Sequence, residues 1–194
     1  MKFSTQHLSQ VFISTPSSFS AYPATMNAKN LFTTLFEYKA WANDTLFAAI
    51  SALPQDAHER EKHDATRILN HVYVVDRIFV ANLQRLPHDY KGLNTPATPA
   101  LADLRAAVRE ADGWLLAYAG GLSEAELDEI VDFTFVDGSP GRMSRAEMLM
   151  HVLTHGNYHR GAVGRILAQI GVPPQRDTLT VFMHRPEHAR AGQL

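Results

Sequence analysis

Apolar residues recur at helical spacing in four stretches of the chain. Leu31, Phe32, Leu35, Phe36, Leu46, Phe47, Ile50 and Leu53 form the first stripe, between Asn27 and Leu53, and Pro54 closes it. Ile68, Leu69, Val72, Val75, Ile78, Phe79, Leu83 and Leu86 form the second, opened by Asp64 as N-cap and stopped by Pro87. A linker from His88 to Thr98, dense in Gly, Asn, Pro and Thr, leads to a third stripe of Leu101, Leu104, Val108, Ala111 and Leu115. Gly120 and Gly121 end that helix, and Gly113 weakens its middle. Ser123 with Glu126 is a capping-box pattern for a short helix, and Ile130 to Val136 alternates apolar and polar before Asp137-Gly138, which predicts a small hairpin. Ser144 with Glu147 is a second capping box, opening a stripe of Met148, Val152, Val163, Ile166, Leu167 and Ile170 closed by Gly171 and Pro173. That last helix should run about 40 Å at about 1.5 Å per residue. Four amphipathic helices bury their stripes most simply against one another, so the expectation is an all-α four-helix bundle with a small hairpin or short helix between helices three and four. Leu179, Val181, Phe182 and Met183 after Pro174 are apolar enough to pack back on it.

The first 25 residues break this pattern, being rich in Ser, Thr and Pro with no continuous apolar segment of signal-peptide length. They predict a weakly ordered extension, 1–25, before a single domain, 26–194. Met26 stands just before the first periodic segment and is the expected physiological start; a native mass that includes Met1 to Thr25 would refute this. The 194 residues carry 20 acidic and 18 basic side chains, a formal net charge of -2, which offers no bulk attraction for nucleic acid or an anionic membrane. No apolar run approaches the roughly 18 to 20 residues of a membrane-spanning helix, so no membrane partner is expected. The first residues lack an export-signal pattern, so a cytoplasmic location is the expectation. With no cysteine, any metal must be held by nitrogen and oxygen, and cysteine nucleophiles and iron-sulfur clusters are excluded.

Ten histidines are the unusual entry in the composition. On the last helix His151, His155 and His159 are spaced by four. With Val152 and Ile170 at the centre of the apolar stripe, His159 lies about 20° from it, His155 about 60° and His151 about 100°. Two therefore look inward and His151 sits on the shoulder, as a group behind the ligands or on the surface. His71, three after Ile68 and four before Val75, is embedded in the stripe of helix two. Three inward imidazoles need partners or a shared cation, and His71, His155 and His159 can supply three corners of a tetrahedron with one position open. The other histidines have no periodic partner; His58 and His63 fall in a charged tract, HEREKH, expected to be a solvated linker.

EYKAWANDTL (Glu37 to Leu46), NHVYVVDRIF around His71, and HVLTHGNYHRGAVGRIL (His151 to Leu167) followed by GVPP resemble the DinB family, within the wider DinB/YfiT-like metalloprotein superfamily. The resemblance runs from about Met26 to Met183. It implies a four-helix bundle, often a homodimer, with a divalent metal held by one histidine of the second helix and two of the last, here His71, His155 and His159. It also implies relatives that include transferases and an isomerase in which the metal activates a low-molecular-weight thiol.

An open site of this kind can acidify water, polarise an electrophile or hold a thiolate. A zincin-type peptidase is disfavoured, because Gly156 stands where the general-base glutamate would be. Asn43, Asp44, Tyr73, Asp76, Asn157, Tyr158 and Arg160 are the polar groups expected near the site, against plain surface roles for Asp76, Arg77, Tyr158 and Arg160 and a packing role for Trp41. Zinc or nickel is the first expectation, with iron, cobalt, copper and manganese also compatible with imidazole. The leading reading is a metal-dependent transferase using a small thiol and a small-molecule substrate. The alternatives are a non-catalytic metal-binding stress-response protein and, behind it, a metal-free module binding an apolar ligand.

Overall fold

The computed structural model describes residues 27–54, 56–173 and 176–185, so the expected extension and the Met26 start lie outside the described residues. The chain is mostly helical: α1 (Ala28–Ser51), α2 (Glu59–Leu83), α3 (Leu101–Gly121), α4 (Glu124–Leu127), β1 (Ile130–Thr134), β2 (Pro140–Ser144), α5 (Arg145–Gln169) and α6 (Leu179–Met183). Among the described residues no helix is long and apolar enough to cross a membrane.

The helix boundaries follow local chemistry. Asn27 caps α1 by accepting the Asn30 amide at 2.8 Å. At α2 the structure corrects the expected start. The helix begins at Glu59, after His58 in a left-handed conformation (φ 59°), and Asp64 lies inside it rather than at its N-cap. The HEREKH tract is therefore the opening of a helix and not a linker. Its side chains are largely solvent-facing, so no apolar periodicity marks it, while Glu59 and Glu61 in the first turn suit the positive end of the helix dipole. At the other end α2 stops at Leu83; Arg85 is left-handed (φ 58°) and Leu86, assigned to the stripe, lies beyond the helix and is 54% exposed. α3 runs unbroken through Gly113, which faces open space.

Both capping boxes form. Ser123 opens α4 and Ser144 opens α5, each hydroxyl accepting the amide three residues on while the glutamate there returns to the cap amide. Ser144→Ala is expected to destabilise the fold by about 1 kcal/mol, read as a lower urea midpoint at unchanged slope. Between the boxes β1 and β2 pair antiparallel with Val131 opposite Met143, and Gly138 (φ 87°) supplies the turn.

The four long helices pack on one another, α1 against α3 and α5, and α2 against α3 and α5. Their buried faces form two apolar clusters. One joins Phe32, Phe36, Phe79, Leu115, Met148, Leu149 and Val152 with Val131 of the hairpin. The other joins Leu46, Phe47, Ile50, Leu69, Val108, Val163 and Leu167. As expected, the tail packs back: Phe182 on α6 is buried against Tyr38 and Trp41, with ring centroids 5.8 and 5.5 Å away. Along α1, α3 and α5 the stretch between the two clusters carries buried polar residues instead, Lys39, Asn43, Asp112 and Arg160.

Candidate metal centre

α2 contributes His71 and α5 contributes His155 and His159, one turn apart on the same face. One ring nitrogen of each lies within 4.8 Å of the other two, an arrangement that could hold a metal ion. The Nε2 atoms of His71 and His155 are 3.0 Å apart. Two nitrogens sharing a tetrahedral ion at about 2.0–2.1 Å would stand about 3.3 Å apart, so this pair is already close to ligand spacing. His71 is held from behind. Its Nδ1 donates to the Leu93 carbonyl at 2.7 Å, which fixes the tautomer and turns the Nε2 lone pair toward the other two rings.

Electrostatics keep the two α5 rings, His155 and His159, in the neutral, metal-binding form. Burial, then the neighbouring His159, His71, His151 and Lys39, push the His155 pKa down to about 3. Burial, then His71, lowers that of His159 as well. Neutral imidazole is a ligand and imidazolium is not, so protons compete little for the lone pairs of His155 and His159. The buried Nδ1 of His155 has no hydrogen-bond partner within the chain. A donor set of three nitrogens, with no fourth side chain in the cluster among the described residues, is of the open rather than the closed type.

His151 stays outside the triad, as expected, stacked on Phe79 at 4.6 Å and on His155 at 5.5 Å. His63 contacts the Thr98 hydroxyl, and His184 the Thr180 carbonyl. His7 and His188 lie outside the described residues.

Beside the triad lies a buried charge network that sequence reasoning only half identified. Lys39 Nζ donates to Asp76 at 2.7 Å and to Asp112 at 2.5 Å, with all three side chains no more than 3% exposed. Asn43 donates to the other Asp112 oxygen at 2.8 Å and accepts from Arg160 at 3.3 Å; Arg160 also donates to Asn157. The surface reading of Asp76 and Arg160 is thus corrected: both are buried ties between helices. Burial opposes a charged Lys39, but the two carboxylates outweigh it and raise its pKa. Asp76 is the less satisfied acid, with one oxygen unpartnered, and burial pushes its pKa up to about 6 despite Lys39. Of the other polar groups named, Asp44 pairs with Arg105 and Arg109 away from the triad, and Tyr158 is 77% exposed. Lys39, Asp112 and the Leu93 carbonyl were missed.

The model of the DinB family matches residues 26–189. The chain belongs to the DinB family. A curated DinB-family relative, Protein DinB of Bacillus subtilis (strain 168), is 27% identical over 172 residues, 80% of this chain and 96% of its own length. The family match spans all three histidines and the Lys39 network, so the site lies in the shared part of the DinB chain.

Proposed function

We propose that this DinB protein binds a divalent metal, zinc or nickel first, through His71, His155 and His159, and uses it in a transfer reaction on a small thiol. The observation that carries the reading is the convergence of three ring nitrogens within 4.8 Å, two of them 3.0 Å apart and one oriented by a backbone carbonyl. The four long helices are read as a four-helix bundle, residues 26–194 as one domain, and the functional unit as a homodimer.

A bound metal of this kind lowers the pKa of a coordinated thiol, so that it is held as thiolate at neutral pH. The chain's own residues do the rest. His71, His155 and His159 would hold the ion, Leu93 keeps the His71 ring in one tautomer, and the buried Lys39–Asp76–Asp112 network fixes helix faces near the ligands. The chain has no cysteine, so any thiol in the reaction comes from a cofactor or substrate.

Cobalt-loaded protein provides the test. Adding β-mercaptoethanol, small enough to enter any open coordination position, should produce thiolate-to-cobalt charge-transfer absorption. Stoichiometric cobalt whose spectrum ignores the thiol would instead mark a closed site and favour the non-catalytic, stress-response reading.

A further inference from the structure

The loop after α2 folds back along the helix and forms with it a half-open cleft of about 750 Å³. Arg67 and Arg77 of α2 line it together with His88, Asp89, Tyr90 and Lys91 of the loop. Three permanent cations thus face one cavity with a single carboxylate, in a chain whose formal net charge is -2. Several cations elsewhere are matched: Arg85 and Arg145 with Glu129, Arg105 and Arg109 with Asp44, Arg142 with Asp132. Among the described residues no carboxylate lies within ion-pair distance of Arg67, Arg77 or Lys91.

The unmatched charge coincides with unmatched hydrogen-bonding groups. The Nε of Arg77 and the Nδ1 of His88 are both buried and lack a partner within the chain, while the rest of the Arg77 guanidinium meets the Tyr90 hydroxyl. Arg67 spends one donor on the neutral Thr95 carbonyl, at 2.7 Å, and keeps its charge. A buried donor without an acceptor, as the Arg77 Nε is, is costly, and like charges gathered round a cleft repel, unless something negative completes the site. A guanidinium favours planar oxyanions because its donors match two oxygens at once.

We propose that this cleft binds a small molecule through a carboxylate or phosphate group. None of its lining residues is a triad histidine, so the site is distinct from the metal centre, although Leu93 of the same loop holds His71. The proposal does not depend on the thiol reading.

Calorimetric titration of the full chain with succinate and, separately, inorganic phosphate tests it. Saturable binding of at least one is expected, and the tighter of the two identifies the oxyanion class. Lys91→Gln and Arg77→Gln should each weaken binding about tenfold, whereas Asp89→Asn should tighten it severalfold. Lys91 and Asp89 are exposed loop positions, so their variants will fold even if Arg77→Gln does not. His159→Ala, which disables the triad without touching the cleft, should bind the anion as the parent does. The proposal is overturned by an absence of saturable binding to either anion, by affinities indifferent to the Lys91 and Asp89 changes, or by loss of binding in His159→Ala, which would put the anion on the metal.

Discussion

Lys39→Met is expected to cost about 3–5 kcal/mol of folding stability, because it leaves Asp76 and Asp112 buried without their shared cation. Few single changes in this chain should cost more, since Lys39 ties α1 to both α2 and α3. Urea unfolding measures it, and a loss below about 1 kcal/mol would show that the network contributes little. Adding Asp76→Asn and Asp112→Asn to the same chain should recover much of the loss, as both uncompensated charges are then gone. Asp76 also has a pH signature. Its folded pKa, about 6, lies above the ordinary 3.8, so the folded state holds this proton more tightly than the unfolded chain. Its contribution is therefore present below the unfolded value and is lost as pH rises toward about 6. In Asp76→Asn that part of the pH dependence should disappear.

His159→Ala is expected to weaken metal binding by more than about 100-fold, since even groups that merely orient a ligand are worth about 10–100-fold. Competition against a chelator of known affinity gives the number. His71→Ala and His155→Ala should behave alike, because each removes one of three donors. His151→Ala should stay within a few-fold of the parent, as that ring stacks on Phe79 outside the cluster. Unchanged affinity in any of the three triad variants would refute the ligand assignment. Alanine is a good helix former, so the backbone of α2 and α5 should survive these changes.

Much of the architecture was legible because burial is written into the apolar stripes and because the capping boxes of Ser123 and Ser144 form as the pattern predicts. The triad was legible for the same reason: helical arithmetic alone separates His155 and His159 from His151. The start of α2 was hidden, since a solvated opening turn carries no apolar rhythm to read. Lys39 and Asp112 had a signal that went unused. Lys39 interrupts the row Phe36, Asn43, Phe47 on the buried face of α1, and Asp112 sits between Val108 and Leu115 on that of α3. A charged side chain inside an apolar stripe must find an opposite charge in the interior, and here the two find each other. The Leu93 contact left no such trace. It is made by a backbone oxygen, and every residue type has one.

That last fact bears on how the protein can change over generations. Leu93 is 51% exposed and presents only its main-chain oxygen to His71, so replacing its side chain leaves the acceptor where it is. Residue identity at this point of the loop is free to drift while the imidazole keeps its orientation. An insertion or deletion that shifts the path of the chain has no such freedom, so selection on the loop should act on its length and course far more than on its spelling.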